Sequence, residues 1–411
     1  MSELIIYNGK VYTEDDKIDN GYIHVKDGQI VAIGEVDDKA AIDNDTTNKI
    51  QVIDAKGHHV LPGFIDIHIH GGYGQDAMDG SYDGLKYLSE NLLSEGTTSY
   101  LATTMTQSTD KIDKALINIA KYEVEQDVHN AAEIVGIHLE GPFISENKVG
   151  AQHPQYVVRP FIDKIKHFQE TANGLIKIMT FAPEVEGAKE ALETYKDDII
   201  FSIGHTVATY EEAVEAAERG AKHVTHLYNA ATSFQHREPG VFGAAWLNDA
   251  LHTEMIVDGT HSHPASVAIA YRMKGNERFY LITDAMRAKG MPEGEYDLGG
   301  QKVTVQSQQA RLTNGALAGS ILKMNHGLRN LISFTGDTLD HLWRAMNPDK
   351  IGMINANALL LPMFQSCSAN ALYSELFGSN EFAPNKNTIA IKIPPDITSG
   401  NMLETPFIKC L

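Results

Sequence analysis

The chain has 411 residues, of which 43% are hydrophobic and 21% are charged, and its formal net charge at pH 7 is −20. This length exceeds one ordinary hydrophobic core, so we expect a large barrel or two domains, and the composition is that of a folded globular protein. The negative charge excludes sequence-independent binding to nucleic acid or anionic membranes, because both require a cationic surface, whereas a phosphate needs only a few basic groups in one pocket.

Short alternating runs of apolar and polar residues fill residues 4–60. Turn pairs such as Asn8-Gly9 and Asp27-Gly28 separate these runs. Alternation interrupted by Asn-Gly and Asp-Gly turns is typical of antiparallel strands. We therefore expect an antiparallel β module in this part of the chain.

Two further features bear on the compartment. Residues 1–10 lack the apolar core of a signal peptide, and the apolar stretch around Leu360 is short and stopped by Pro362. Cys367 and Cys410 lack the spacing of a disulfide scaffold or a CxxC motif. We expect reduced thiols and a cytoplasmic protein.

After Pro62-Gly63 the pattern changes to strands that alternate with amphipathic helices. The predicted strands cover residues 64–70, 133–139, 176–181, 199–203, 223–227 and 279–283, and the predicted helices include residues 87–93 and 210–219. Such alternation over roughly 300 residues favours a parallel sheet, most economically a βα barrel.

Two histidines, His68 and His70, end the first predicted barrel strand. Residues two apart on a strand face the same way, so both imidazoles lie on one side, a geometry that suits two ligands of one metal ion. The alternative is a packing or surface role. The following Gly71-Gly72 disfavours it, since glycines permit close approach of backbone and ligand.

A carboxylate, Glu140, ends the next predicted strand and precedes Gly141-Pro142. This position is the strand tip, where barrels of this type place their active sites. A solvated loop glutamate fits poorly beside the apolar residues of the strand. His138, two positions earlier on the same face, is better interpreted as a core histidine with satisfied ring nitrogens than as a ligand.

Two later strands end in His205 and His226, and the last one leads to Asp284. Any one of the 18 histidines would more often be structural, but four at strand ends with a carboxylate form a set suited to Zn²⁺, Fe²⁺ or a similar ion. An acidic residue beside such an ion can accept a proton from water and return it to a leaving group, as amide hydrolysis requires. The alternative for Asp284 is a cap of the following turn.

These motifs resemble the amidohydrolase superfamily and, within it, the N-acetylglucosamine-6-phosphate deacetylases. The matching segments are LPGFIDIHIHGG (61–72), GIHLEGPFI (136–144), GHT (204–206), THLYNA (225–230), REPG (237–240), ITDA (282–285) and LAGS (317–320). The resemblance implies an α/β fold, a distorted (βα)8 TIM-type barrel with a small β-sandwich domain. It also implies hydrolysis of N-acetylglucosamine 6-phosphate to glucosamine 6-phosphate and acetate, in amino-sugar catabolism and cell-wall sugar recycling.

The resemblance assigns roles to the residues at the strand ends. The implied metal ligands are Glu140, His205 and His226 for the main ion, with His68 and His70 for a second ion bridged by Glu140. Some members lack the histidine pair and bind one ion, whereas this chain keeps it. Asp284 would be the catalytic acid and base. The implied cofactor is Zn, Fe, Mn or Co, and the implied assembly is a homodimer or a higher homo-oligomer.

The resemblance also implies a set of substrate contacts. The implied substrate-binding residues are Ala151, Asn229, Ala230, Arg237, His261, Leu317, Ala318 and Gly319. Arg237 and His261 resemble the phosphate-binding pair, and a planar, permanently charged guanidinium suits phosphate. The loop at residues 317–319 resembles the one that closes over the sugar. The alternative for Arg237 and His261 is an ordinary loop charge.

The chain departs from the family pattern in two places. Family members often carry, after the alanine, a histidine that polarises the acetamide carbonyl; here Gln152 takes that place and His153 follows it. After about residue 340 the usual Gly-Lys-Asp-Ala-Asp return to the sandwich is absent, and only residues 387–393 look strand-like.

We accordingly divide the chain into three parts. Residues 1–60 form the N-terminal part of the sandwich, residues 61–350 the catalytic barrel, and residues 351–411 a divergent C-terminal segment. That segment is either an incomplete return to the sandwich or the product of an altered reading frame.

Two rival functions stay open from the sequence. One is another amidohydrolase activity, such as deacetylation of N-acetylgalactosamine 6-phosphate or hydrolysis of a cyclic amide. The other is a non-catalytic barrel scaffold, which the retention of all five candidate ligands and Asp284 disfavours.

Overall fold

The N-terminal strands form a sheet of their own in this computed structural model, which describes residues 3–13, 16–36, 50–347 and 388–390. These strands are β1 (Glu3–Tyr12), β2 (Lys17–Lys26), β3 (Gln29–Glu35), β4 (Ile50–Asp54) and β5 (His59–Leu61). Strands β1 to β3 pair antiparallel, as predicted, around a small core that includes Ile6, Ile23 and Val60.

The prediction of a purely antiparallel module is wrong for two strands. Strands β4 and β5 both pair parallel to β1. The short connections between antiparallel neighbours, such as Asp27-Gly28 between β2 and β3, reverse the chain, whereas the long connection between Glu35 and Ile50 allows it to return in the direction of β1.

Eight parallel strands then form the barrel. The strands after β5 are β6 (Phe64–Ile69), the short hairpin β7 (Gly71–Gly72) and β8 (Gln75–Asp76), β9 (Thr97–Thr103), β10 (Glu133–Glu140), β11 (Ile176–Phe181), β12 (Ile200–Ile203), β13 (His223–Val224), β14 (His252–Ile256) and β15 (Phe279–Ile282). Strands β6 and β9 to β15 follow one another around the sheet in chain order. A parallel bridge between Ile69 and Ala285 joins the first strand to the end of the last, and the backbone N–H groups of His70 and Gly71 both donate to the Ala285 carbonyl. The barrel is therefore nearly closed.

Helices connect the strands and cover the barrel. They are α1 (Tyr82–Leu92), α2 (Thr109–Glu125), α3 (Ile162–Thr171), α4 (Ala188–Tyr195), α5 (Tyr210–Arg219), α6 (Gly240–Leu247), α7 (Pro264–Lys274), α8 (Met324–Thr335) and α9 (Leu339–Leu342). Helix α5 has the predicted bounds because its ends carry strong local signals. Thr209 and Glu212 form a reciprocal capping box at its start, and Gly220 follows its last turn with a positive φ.

Two barrel strands, β9 and β14, were not among the predicted ones. Strand β9 contains four serine or threonine residues among its seven, and β14 begins with His252, Thr253 and Glu254, so neither shows a long apolar run. Every residue of β9 is nonetheless buried. A buried strand with this many polar side chains has no apolar pattern that would reveal it in the sequence.

An insertion lies between β15 and α8. It is an antiparallel meander of β16 (Gly294–Leu298), β17 (Gln301–Gln306) and β18 (Gln309–Leu312). Its core includes Val303 and packs against Met105 and Met286, which follow barrel strands β9 and β15. The meander therefore lies beside the C-terminal ends of these strands.

The fold class predicted from the sequence is confirmed: a distorted (βα)8 barrel with a separate small β-sandwich domain. Strand β19 (Thr388–Ala390) lies within the strand predicted at 387–393 and pairs parallel to β5. The other residues after 347 lie outside the described part, so the predicted domain boundaries stay a prediction. Among the described helices, none combines the length and apolar character needed to cross a bilayer.

Candidate metal centre and active site

Six polar side chains meet at the C-terminal end of the barrel, all of them predicted from the sequence. They are His68 and His70 at the end of β6, Glu140 at the end of β10, His205 after β12, His226 after β13 and Asp284 after β15. Each residue is at most 8% exposed. Such a cluster would be costly to bury unless its members paired with one another or with an ion.

Three of these residues have a left-handed backbone, which side-chain-bearing residues rarely adopt. The φ angles are 49° at His205, 30° at His226 and 46° at Asp284. A conformation of this kind costs on the order of 1–3 kcal/mol and persists where the surrounding structure imposes it. At Asp284 the backbone N–H donates to the His68 carbonyl, which ties the acid to the histidine strand. With this backbone conformation, the three side chains point into the cluster.

Glu140 stands at the centre of the cluster, with one carboxylate oxygen facing each side. Its Oε1 lies 3.0 Å from His205 Nε2 and 3.1 Å from His226 Nε2. Its Oε2 lies 3.2 Å from His70 Nε2. On that side, Asp284 Oδ1 lies 3.1 Å from His70 Nε2 and 3.6 Å from His68 Nε2. The carboxylate thus lies between two groups of donors.

Both groups have the dimensions of a metal site. The candidate ligand atoms of Glu140, His205 and His226 lie within 4.8 Å of one another, and so do those of His68, His70 and Asp284. Glu140 is placed so that it could bridge the two. The prediction of one or two ions is consistent with this arrangement.

His70 and His205 present their Nε2 atoms to the centre because their Nδ1 atoms are engaged elsewhere. His205 Nδ1 lies 2.9 Å from the Lys148 carbonyl, and His70 Nδ1 lies 3.3 Å from the Thr103 carbonyl. A carbonyl can only accept, so each of these Nδ1 atoms carries a hydrogen, and in the neutral form of the ring the Nε2 lone pair is directed inward.

Two contacts indicate that a cation fits the site. The Nε2 atoms of His205 and His226 lie 3.1 Å apart, and two bare nitrogens at that distance need a proton or a cation between them. Within the described residues, His68 Nε2 is buried and has no hydrogen-bond partner. Imidazole nitrogens with carboxylate oxygens are the donors that Zn²⁺ and similar divalent ions prefer.

The electrostatics of the ion-free cluster follow from this crowding. Burial raises the pKa of Glu140, but His68 and the hydrogen bonds of His205 and His226 outweigh it and hold that pKa well below its usual range. Burial also opposes protonation of His70, yet its hydrogen bonds to Asp284 and Glu140 raise its pKa to about 10. Protons therefore neutralise the carboxylates when no ion is bound.

His138 is separated from this chemistry. Its Nδ1 lies 3.0 Å from the Ile67 carbonyl and its Nε2 lies 2.8 Å from Thr180 Oγ1. Burial and the neighbouring His68 lower its pKa to about 3, so it stays neutral. Both ring nitrogens have partners, as expected for a core histidine.

Gln152, which occupies the place of the usual histidine, reaches the centre of the cluster. Its Nε2 donates to Glu140 Oε2 at 2.6 Å, and its Oε1 accepts from the Thr106 backbone N–H at 2.6 Å. Because the backbone N–H requires an acceptor, the amide cannot be flipped, and its NH₂ group is directed at Glu140. The preceding residue, Ala151, is held by Gln301, whose amide donates to the Ala151 carbonyl.

Several predicted substrate residues border the cluster. Asn229 donates to the His226 carbonyl, and the Ala230 carbonyl accepts from the Thr206 N–H. A Cβ added to Gly150, next to Ala151, would lie 3.4 Å from the His205 ring and 3.5 Å from Ala230 Cβ. Ala151, Asn229 and Ala230 therefore lie on the side of His205 and His226.

The loop at residues 317–319 lies on the opposite side, against Asp284. The Ala318 N–H donates to the Ala310 carbonyl, which ties Leu317, Ala318 and Gly319 to the meander. Gly319 has a φ of 61°, and a Cβ added there would lie 2.9 Å from the Asp284 carbonyl. Only glycine fits this approach.

The predicted phosphate pair is not brought together in the cluster. His261 lies in a loop after β14, where its Nδ1 is 2.7 Å from Asp258 Oδ2. Arg237 is exposed on the loop before α6. Neither residue contacts the candidate metal ligands among the contacts of the described residues.

The sequence interpretation missed a buried acid that contacts the cluster, Glu254 on β14. Its Oε2 lies 3.0 Å from His68 Nδ1, and the residue is fully buried. The available signal was a glutamate directly before Met255 and Ile256, a charge in a strand that otherwise enters the barrel core.

Comparisons with known proteins agree with the geometry. Residues 59–332 match the amidohydrolase family. The chain is 46% identical to the N-acetylglucosamine-6-phosphate deacetylase of Bacillus subtilis (strain 168) over 81% of this chain and 83% of the relative. It is 33% identical to the N-acetylgalactosamine-6-phosphate deacetylase of Escherichia coli O157:H7 over 80% of this chain and 84% of the relative.

Solved structures give the same result. The N-acetyl-D-glucosamine-6-phosphate deacetylase of Mycobacterium smegmatis, solved as a mutant in complex with N-acetyl-D-glucosamine-6-phosphate, superposes with a TM-score of 0.76 at 29% identity, covering 84% of this chain and 88% of that one. The N-acetylglucosamine-6-phosphate deacetylase of Thermotoga maritima superposes with a TM-score of 0.73 at 30% identity, covering 85% and 89%.

Proposed function

Because the chain belongs to the amidohydrolase family, we propose that it hydrolyses N-acetyl-D-glucosamine 6-phosphate to D-glucosamine 6-phosphate and acetate. The observation that carries this proposal is the buried carboxylate of Glu140 between two groups of inward-facing donors, with Asp284 beside them. A scaffold without activity would not need to maintain such a strained and charged cluster.

The proposed metal ligands fall into two groups around Glu140. Glu140, His205 and His226 would hold the main divalent ion, and His68 and His70, with Glu140 shared between the two groups, would hold a second. Bound there, a Zn, Fe, Mn or Co ion would polarise the substrate carbonyl and lower the pKa of water. The donor set suits all four metals, and we propose no single one.

Asp284 is the proposed acid and base. Burial raises its pKa, but His68 and the hydrogen bond of His70 outweigh burial and lower it, so the carboxylate is ionised and can accept a proton. Water forms the new C–O bond to the acetamide carbon while its proton passes to Asp284. Asp284 then returns that proton to the amide nitrogen as the C–N bond breaks, which yields acetic acid and the free amine, and proton exchange with solvent at neutral pH leaves acetate and the ammonium form of the amine.

The remaining predicted residues are proposed to hold the sugar phosphate. Ala151, Asn229 and Ala230 border it on the His205 side, and residues 317–319 border it on the Asp284 side. His261 binds the phosphate, and exposed Arg237 contributes from a neighbouring subunit of a homodimer. A cytoplasmic location stays a prediction from the sequence.

The substrate assay is direct. Purified protein, loaded with metal, is incubated with N-acetylglucosamine 6-phosphate, with its galactose epimer and with a dihydropyrimidine, and the free amine and acetate are measured. We expect equimolar amine and acetate, with the highest kcat/KM for the glucose epimer. A higher kcat/KM for the galactose epimer or the cyclic amide would identify that compound as the substrate instead. Inactivity of the metal-loaded protein on all three compounds would contradict the proposal.

Arg237→Ala tests the phosphate assignment. Loss of one charge-assisted contact costs about 1.5–3 kcal/mol, which corresponds to a rise in KM of roughly 10- to 100-fold for the phosphorylated sugar. The matched control is hydrolysis of unphosphorylated N-acetylglucosamine, whose rate should not change.

A further inference from the structure

Glu254 is a carboxylate in the barrel interior that has no assigned role in the proposed reaction. It is fully buried on β14. Both of its ion-pair partners are histidines: Oε2 lies 3.0 Å from His68 Nδ1, and Oε1 lies 3.7 Å from His223 Nδ1. Only the first distance is that of a hydrogen bond. A buried carboxylate is costly unless it is paired and hydrogen-bonded, and here the hydrogen bond comes from His68.

This contact determines how His68 is protonated and where it points. An ionised carboxylate can only accept, so His68 Nδ1 carries a hydrogen and donates it to Glu254. In the neutral ring, Nε2 then keeps its lone pair. Nε2 is the atom that lies 3.6 Å from both Glu140 Oε1 and Asp284 Oδ1 and that has no hydrogen-bond partner among the described residues.

Glu254 is not itself a ligand of the same ion. Nδ1 and Nε2 lie on different sides of the imidazole ring, so an ion bound at Nε2 is separated from Glu254 by the ring. Glu254, His68 and His138 also form a compact group, but both nitrogens of His138 are bonded to Ile67 and Thr180. That group offers no free ligand set.

The other histidines of the cluster are oriented differently. His70 and His205 direct Nδ1 at backbone carbonyls, those of Thr103 and Lys148. Of these three rings, only His68 directs its Nδ1 atom at a side chain with a negative charge. A carboxylate behind a metal-ligating histidine fixes the tautomer and raises the basicity of the ligand.

We propose that Glu254 is a positioning residue for the second metal ion, acting through His68. This inference rests on the proposed function, since it assumes an ion at His68 and His70. It assigns to Glu254 the retention of that ion only, because its contact is with His68 and not with His205 or His226.

The test is Glu254→Gln, which keeps the size of the side chain and removes its charge. Metal content is counted by mass spectrometry after graded competition with a chelator. We expect affinity for the second ion to fall about 10- to 100-fold, while the first ion is retained as in wild type. Thermal unfolding of the metal-free proteins verifies that the variant is folded.

Two further variants make the result specific. In a His68→Gln background, Glu254→Gln should cause no additional loss of metal, because the two substitutions remove the same link. Glu95→Gln is the matched control: Glu95 is also fully buried, but it pairs with Lys289 at 3.1 Å, away from the metal ligands. It should keep both ions.

The outcomes separate this inference from the proposed function. The role of Glu254 would be overturned if wild type and Glu254→Gln held two ions equally tightly, or if wild type bound one ion only. Neither outcome would contradict the proposed hydrolase activity. Loss of the first ion together with the second would also overturn the role of Glu254. A wild type that binds no ion would instead refute the metal site on which both rest.

Discussion

Replacing Asp284 by asparagine tests the proposed acid and base with minimal change of shape. Asp284 is 8% exposed, and its Oδ1 lies 3.1 Å from His70 Nε2. The amide can still contact His70 through its oxygen, but it cannot accept and return a proton. General acid–base catalysis contributes roughly 10²- to 10⁴-fold, so kcat should fall by that factor, equivalent to about 2.7–5.5 kcal/mol of barrier.

The assay must separate chemistry from metal loss. Acetate release by Asp284→Asn is followed at saturating substrate in samples whose metal content has been counted. KM should change by less than about threefold, since Asp284 acts in the transition state rather than in ground-state binding. Asp337→Asn is the control: this partly buried carboxylate accepts from Tyr271 on the outer helices, so its loss should not alter kcat. A variant with full metal content and kcat within tenfold of wild type would refute the role of Asp284.

Three other outcomes are expected. His68→Gln combined with His70→Asn should lower the metal count from two towards one and leave the Glu140 site occupied; a count that stays at two would contradict a second site there. Gln152→Ala should weaken metal retention by about tenfold, because Glu140 loses the amide that orients it, and dialysis against a chelator measures this loss. Unchanged metal retention with a raised KM would instead indicate that the Gln152 amide contacts the substrate. Burial, with like charge nearby, lowers the pKa of His252 in the folded protein to about 3, so the folded state disfavours its protonation. Its contribution to the free energy of unfolding is therefore complete above pH 6.5 and declines by at most about 1.4 kcal/mol per pH unit as the pH falls towards 3. His252→Gln should flatten that decline in denaturant unfolding at pH 4 to 7, and an identical slope would contradict it.

The sequence predicts the barrel because its strands and turns carry local signals. The strand that contains His68 is buried throughout and is apolar except for Asp66 and His68, and the capping box before α5 and the glycine after it determine both ends of that helix. The convergence of the ligands also follows from a general rule, since parallel strands in a barrel deliver their C-terminal residues to one face. The six residues of the cluster could therefore be named before any coordinates existed.

Contacts that depend on the register between distant strands could not be predicted. Gln152 faces Glu140 because the N–H of Thr106, 46 residues earlier, holds its oxygen. Glu254 faces His68 across 186 residues of sequence. Strand β14 itself lacked an apolar signature, so the position of Glu254 inside the barrel was hidden. These partners are set by tertiary packing, and no spacing in the sequence encodes them.

The parallel pairing of β4 and β5 with β1 was missed for a related reason. Local turn signals describe hairpins, whereas a strand that returns after a long connection leaves no comparable trace. The C-terminal strand β19 shows the converse case, since its β-branched residues Thr388 and Ile389 made it recognisable in a segment that otherwise departs from the family pattern.

The central claim is that the cluster around Glu140 performs metal-dependent deacetylation. Its most direct test is to remove metal from wild type with a chelator, restore it stepwise, and measure acetate release from N-acetylglucosamine 6-phosphate and bound metal in the same samples. We expect turnover below about 1% without metal, consistent with the large share of catalysis that a metal centre supplies, and recovery in proportion to occupancy of the first site. Undiminished turnover in metal-free protein would contradict the account.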